Sequence, residues 1–198
     1  MSAKNVVIVL GSPRKNGNST ALAQRVAEGA KEAGAEAKNV YLNGINIKPC
    51  TACDVCRRSV DIDCNITYDM YDMKSLYSRL RRADAMVIAS PIYMFSIVGQ
   101  TKVFIDRCYA LLGRYGMGRQ ENDFKGKQFG IVFTYESTDS FISGAVNAIR
   151  PLQDMLAYFG ALIVGLIYGR AAKAGEIKSN HDLMEKAYDL GKKLAAGV

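Results

Sequence analysis

The sequence predicts an α/β protein: a three-layer fold with a five-stranded parallel sheet and helices on both faces. Three observations predict it. Short β-branched runs recur along the chain. Longer stretches with apolar residues at helical spacing lie between them. The resulting order is β-α-β-α-β-α-β-α-β-α, which right-handed crossovers join into one sheet. A length of 198 residues suits a single domain over 1–198, with a cysteine-rich loop inserted at about 43–67.

Each element has its own signal. Asn5–Leu10 (NVVIVL) is a β-branched run ending at Gly11, the mark of a buried parallel strand. Asn18–Ala33 carries Leu22, Val26 and Ala30 on one helical face, with Gly34 as a stop. Glu36–Leu42 alternates as a second strand. Asp69–Arg82 is a helix with Met73, Leu76, Tyr77 and Leu80 together. Ala85–Ser90 (AMVIAS) is a third strand ending at Pro91, and Val98–Leu112 is the helix after it. Gly113–Lys127 is polar and Gly-rich, hence a connection. Gln128–Thr134 is the fourth strand. Ser140–Phe159 is helical, with a kink or restart expected at Pro151. Ala161–Tyr168 and Asn180–Ala196 are the last strand and the closing helix.

Composition removes several function classes. No uncharged apolar run approaches the roughly 20 residues a spanning helix needs. The start, Met1-Ser-Ala-Lys, runs into a strand without the pattern of a cleavable signal peptide, so the expected location is cytoplasmic. The net charge is +7, but Lys and Arg are scattered. That speaks for a solvated face or an anionic ligand before nucleic acid. Neither nucleic acid nor membrane is an expected partner. His181 is the one histidine and sits in a polar stretch, where it reads as a surface residue.

Ligands of parallel α/β sheets bind beyond the carboxyl ends of the strands. The loop after the first strand is Gly11-Ser-Pro-Arg-Lys-Asn-Gly-Asn-Ser-Thr20. Ser12, Asn18, Ser19 and Thr20 supply short polar groups, Arg14 a cationic fork, and the helix start its free N–H groups. Together they suit a phosphate. A Walker A loop is excluded, because five residues separate Gly11 from Gly17 and Asn18 replaces the lysine. The dinucleotide pattern G-x-G-x-x-G is missing as well. A terminal monophosphate, as on FMN, fits better than a pyrophosphate.

After the third strand comes Pro91-Ile-Tyr-Met-Phe-Ser96, apolar where loops are ordinarily polar. It fits either a flat ligand such as isoalloxazine or packing against a neighbouring subunit or helix. After the fourth strand, Thr134, Tyr135 and Glu136 stand ready for the far edge of such a ring.

Cys50-Thr-Ala-Cys53-Asp-Val-Cys56 is followed, after seven residues, by Cys64. A compact C-x2-C-x2-C with a distal fourth thiol suits a cubane iron–sulfur cluster; zinc and free thiols are the alternatives. Cys108 lies in an apolar helix and reads as a core thiol.

The segments GSPRKNGNST and ASPIYMFSIVGQTKVFIDR, with the order of elements, resemble the NAD(P)H-dependent FMN reductases of flavodoxin-like fold. Ser90-Pro91-x-Tyr93, Lys102 and Asp106-Arg107 are the most specific part. The cysteine loop resembles that of the iron–sulfur flavoproteins in the same group. The resemblance implies a sheet order of 2-1-3-4-5 and non-covalent FMN. It places Ser12, Arg14, Asn18, Ser19 and Thr20 at the phosphate and Pro91, Ile92, Tyr93, Met94 and Phe95 along the ring. Cys50, Cys53, Cys56 and Cys64 would hold a 4Fe-4S cluster. Tyr135-Glu136 depart from the glycines that many relatives carry.

The expected function is that of an FMN-dependent oxidoreductase. NAD(P)H or reduced ferredoxin would donate electrons, and a quinone, free flavin, oxygen or protein would accept them. No side chain is assigned as a catalytic acid or base, because the flavin carries the chemistry. A homodimer or homotetramer is expected, since the apolar loop needs cover. The alternatives are a flavodoxin-like electron carrier without turnover, an FMN reductase whose cysteine loop holds no cluster, and a zinc-bearing binding module. A carrier is usually acidic, and this chain is basic.

Overall fold

Side chains along a strand alternate between two faces, and here both faces are apolar. In chain order the elements are β1 (Asn5–Leu10), α1 (Asn18–Glu32), β2 (Glu36–Tyr41), α2 (Val55–Arg58), α3 (Met70–Arg82), β3 (Ala85–Tyr93), β4 (Ser96–Ile97), α4 (Gly99–Arg107), β5 (Gln128–Tyr135), α5 (Ala145–Tyr158), β6 (Leu162–Arg170) and α6 (His181–Ala196). The computed structural model describes residues 3–58, 64, 70–112 and 122–197, with backbone only at 70–72. Val7 and Val9 of β1 enter one apolar cluster with Met86, Ile88, Phe129 and Ile131, under α3, α4 and α5. Val6, Ile8 and Leu10 enter the other with Val87, Ala89 and Val132, under α1 and α6. Helices thus cover both faces of a sheet too apolar to leave either one wet.

The hydrogen-bonded order is β2-β1-β3-β5-β6, with every neighbouring pair parallel. Counting parallel strands alone, this is the expected 2-1-3-4-5. On the second face α1 and α6 pack closely enough that a Cβ on Gly191 would overlap the Val26 carbonyl. Glycine at that position lets the two backbones touch.

Four details differ from the sequence expectation. First, β3 runs on through Pro91 to Tyr93 instead of ending at Ser90. Proline is tolerated because β1 pairs no further than Leu10 with Ala89, so that side of the strand has no ladder left to lose. Second, the chain then reverses into β4, a two-residue antiparallel strand pairing Ile92 with Ile97 and Tyr93 with Ser96. The expected loop is therefore the tip of a hairpin. Third, α4 ends at Arg107 and tightens into a 3-10 turn over Cys108–Leu111. Fourth, α5 begins at Ala145 and runs unbroken through Pro151, which lies on its exposed side. Residues 59–63 and 65–69 of the cysteine loop and helix start, and 113–121 of the polar connection, lie outside the described residues.

His181 is exposed at the start of α6, and Cys108 is buried in the core, both as expected. Among the described residues, no helix is long and apolar enough to cross a membrane.

Candidate functional site

Parallel strands send all their following loops to one end, and there the structure opens a cleft of about 630 Å³, its mouth included. One wall is the β1–α1 loop with Ser12, Arg14, Gly17, Asn18 and Ser19. The opposite wall is Pro91, Ile92 and Tyr93 at the end of β3. Thr134, Tyr135 and Glu136 after β5 close the far side.

The loop wall is held in shape locally. The Ser12 hydroxyl accepts from Arg14 N–H at 3.1 Å, and Gly17 N–H donates to the Arg14 carbonyl at 3.1 Å. Thr20 donates to that same carbonyl at 3.3 Å. From the side, the Tyr41 hydroxyl donates to the Pro13 carbonyl at 2.6 Å. Within this network Ser19 Oγ is 1% exposed at residue level and has no hydrogen-bond partner. An orphaned buried hydroxyl in the first turn of α1 is costly unless a ligand reaches it. The helix start beside it offers free N–H groups and the positive end of the dipole.

The structure brings most of the expected residues to the cleft wall and sets Thr20, Met94 and Phe95 apart from it. Thr20 is buried behind the loop rather than facing the cleft. Met94 and Phe95 form the hairpin tip, 87% and 61% exposed, outside the lining. Asn18 lines the cleft, but its side chain is spent elsewhere: Nδ2 donates to the Lys173 carbonyl at 2.9 Å, and Oδ1 accepts from Ile177 N–H.

Missing from the expectation are Ala171, Ala172 and Ala174, which line the cleft after β6. The signal was present as a run of small residues at a strand's carboxyl end. Ala171 N–H donates to the Tyr135 carbonyl at 2.8 Å, and Arg170 Nε to the Glu136 carbonyl at 3.1 Å, so this loop braces the far wall. Burial pushes the Tyr135 phenol up, reinforced by Tyr168 and Asp139, so it stays a neutral donor.

The cysteine loop leaves the same end of the sheet, after β2. Cys50 and Cys53 are exposed, while Cys56 on α2 and Cys64 are half-buried. Ala52 and Asp54, flanking Cys53, have φ of 52° and 57°, a left-handed backbone that non-glycine residues adopt at a cost. Burial raises the Cys56 thiol above its usual pKa, and the fields of Cys64, Cys50 and Cys53 add to the rise. All four sulfurs therefore share one electrostatic neighbourhood. Among the described residues, no three such side chains converge tightly enough to enclose a single metal ion.

A five-stranded parallel sheet in this order, with a serine-lined cleft at its carboxyl end, defines a flavodoxin-like protein. The chain belongs to the NADPH-dependent FMN reductase family, whose model matches residues 4–174. It is an enzyme, a flavin-dependent oxidoreductase. An iron-sulfur flavoprotein of Archaeoglobus fulgidus is 30% identical over 189 residues, spanning 94% of this chain and 77% of its own. One from Methanocaldococcus jannaschii is 27% identical over 98% of this chain and 96% of its own. Among solved structures, the NAD(P)H:quinone oxidoreductase from Methanothermobacter marburgensis shares the fold with a TM-score of 0.74, at 19% identity over 98% of both chains.

Proposed function

We propose that the cleft binds FMN and that the chain moves electrons from NAD(P)H or ferredoxin to a quinone, flavin, oxygen or protein acceptor. The observation that carries this is Ser19 Oγ, buried and unpartnered in the first turn of α1. A phosphate seated there would accept from Ser19, Ser12 and the helix N–H groups, Asn18 contributing its backbone. Arg14 would add a charge-assisted pair. Pro91, Ile92 and Tyr93 would border the ring, with Thr134, Tyr135 and Glu136 at its other edge. Bound flavin supplies hydride acceptance and the capacity to release electrons singly. The chain's residues bind it, orient it and keep water from one side of the ring.

The second part of the reading is that Cys50, Cys53, Cys56 and Cys64 hold a 4Fe-4S cluster. The donor set supports it: four soft ligands on one loop, with no histidine or carboxylate among them. Burial, with the other three sulfurs nearby, raises the Cys56 thiol, so a cationic centre there would favour its thiolate. The strained backbone around Cys53 is the kind of cost that functional loops retain. The names of the two archaeal relatives point the same way. A second reading keeps the reductase and leaves the loop without a cluster; among the described residues no three such side chains converge tightly.

Met94 and Phe95 at the hairpin tip, with exposed Phe141 and Ile142, form an apolar surface beside the cleft. A homodimer or homotetramer would cover it. The proposed location is the cytoplasm, where free thiols stay reduced.

One measurement tests both parts. Protein purified without air is examined by visible spectroscopy with iron, sulfide and zinc analysis. Flavin bands with a broad iron–sulfur shoulder are expected. Flavin bands alone remove the cluster and leave the reductase. A chain with neither, which also refuses added FMN, overturns the reading.

A further inference from the structure

β6 closes one side of the sheet: it pairs with β5, and among the described residues no strand pairs with its other side. The opposite edge, β2, is protected by charge. It exposes Glu36, Lys38 and Asn39, and Glu36 pairs with Lys38 at 2.8 Å. β6 has no such protection. From Phe159 to Gly169 no residue is charged. Leu162, Ile163 and Tyr168 are exposed along the strand, and Tyr158 is exposed at the end of α5 just before it. A long apolar edge left open is a template for another strand.

The sequence of β6 says which strand fits. Gly165-Leu-Ile-Tyr-Gly169 has nearly the same character in both directions about Ile167. Laid antiparallel to itself, it sets Gly165 opposite Gly169, Leu166 opposite Tyr168, and Ile167 opposite its own copy. Leu166 and Tyr168 then make an aliphatic–aromatic pair on each side of the axis, a favourable cross-strand combination. Both glycines lie under α6, where a Cβ would overlap Leu190 at Gly165 and Leu183 at Gly169. The backbone is in phase as well. Ala171 N–H donates to the Tyr135 carbonyl of β5 at 2.8 Å, so alternation turns the N–H and C=O of Tyr168 and Leu166 away from β5. Opposed residues with that orientation exchange both hydrogen bonds in an antiparallel pair.

The area is sufficient. Tyr158, Leu162, Ile163 and Tyr168 leave roughly 400 Å² of surface open per copy. Two copies, with their backbone edges added, reach the roughly 1,200 Å² at which stable interfaces begin.

We infer that β6 is the seam at which two copies of this chain join, antiparallel about a twofold axis at Ile167, into one continuous sheet. A twofold interface needs a self-complementary surface, and this uncharged, near-symmetric strand is one. The seam uses other residues than the hairpin tip and depends on neither FMN nor a metal.

The test is sedimentation of the full chain, with whatever cofactor it carries, over a range of concentrations. Wild type is expected as a dimer or as a pair of dimers. Tyr168→Lys sets a cation opposite Leu166 on the edge; it should halve that mass or weaken association roughly tenfold or more. Tyr168→Phe should keep the wild-type mass. Ile167→Cys places two thiols at the axis, where opposed Cα atoms of a non-hydrogen-bonded pair lie about 4.5 Å apart, within disulfide range. Peptide mapping after mild oxidation should find position 167 linked to position 167 of the second copy. Where Tyr168→Lys does not fold, that link decides alone. The inference is overturned if wild type is a monomer at every concentration, which would leave the edge to a strand of another protein. It is equally overturned if folded Tyr168→Lys keeps the wild-type mass, or if the 167–167 link does not form.

Discussion

The Asn18 side chain donates to the Lys173 carbonyl across 2.9 Å, joining the start of α1 to the loop after β6. It fastens two walls of the cleft to each other. A second bond, from Ile177 N–H to Asn18 Oδ1, closes the joint from the other side. Asn18→Ala should therefore act on stability before it acts on the flavin. Loss of these bonds is expected to cost about 1–2 kcal/mol. Urea unfolding of the flavin-free chain measures it; an unchanged midpoint would mean that the joint contributes nothing.

Ser19 predicts effects of opposite sign. Its buried hydroxyl has no partner in the cleft without ligand. Ser19→Ala should leave the flavin-free chain as stable or slightly more so, because an unsatisfied polar group is removed. The same change should weaken FMN binding, by about 1 kcal/mol or more. Melting and flavin-fluorescence titration on one preparation read the two effects. A loss of stability without a loss of affinity would place Ser19 outside the phosphate site.

Arg14 is exposed in the cleft wall, its side chain free to swing over a bound phosphate. Arg14→Ala should weaken FMN binding by about 1.5–3 kcal/mol, the worth of a charge-assisted pair. The deficit should shrink as salt is raised, because the site is open to solvent. Equal affinity at low salt would mean that Arg14 points elsewhere.

How far the sequence reveals this site depends on how local each signal is. The parallel order needs only alternation and strand-sized apolar runs, which β1, β3 and β5 carry plainly. The β1–α1 wall is legible because its polar residues are consecutive. The hairpin at Met94-Phe95 is not legible. Both residues take positive φ, 46° and 65°, where a tight hairpin ordinarily shows Asn-Gly. The strain is sustained by tertiary contacts that no local pattern encodes. The side-chain bonds of Asn18 are not legible for a similar reason: their partners lie more than 150 residues away. For Arg107, the motif is visible, but its contact with Lys48 exists only once α4 and the loop after β2 are packed.

Glu176 gives a pH prediction. Its carboxylate accepts from the N–H groups of Ala172 and Lys173 at 2.8 and 2.7 Å, and these bonds hold its pKa below the usual 4.5. A lowered pKa in the folded state stabilises fully above the unfolded value and is lost as pH falls through the folded one. The loop Ala171–Ala174 should thus loosen first on acidification below about pH 4.5. Glu176→Gln should flatten that acid limb while changing little at neutral pH. Stability measured across pH 3 to 7, as a pH window of roughly this width, checks it; an acid limb unchanged in Glu176→Gln would remove the carboxylate from the account.

Gly144 supports the hairpin from beneath. It has φ of 79°, and a Cβ there would lie 2.5 Å from Phe95 Cα and 2.6 Å from the Phe95 carbonyl oxygen. Both obstacles are backbone, so no rotamer change relieves them. Gly144→Ala must either push the hairpin away or shift the start of α5, and it carries left-handed strain in addition. The expected loss of stability is about 2–3 kcal/mol. Because Tyr93 begins the reversal and lines the cleft, the displacement should also weaken FMN binding, while Ser19 and Arg14 remain intact. A double variant with Arg14→Ala distinguishes the two routes: losses that arise at opposite walls should add. If Gly144→Ala lowers stability and leaves FMN affinity untouched, the hairpin does not border the ring.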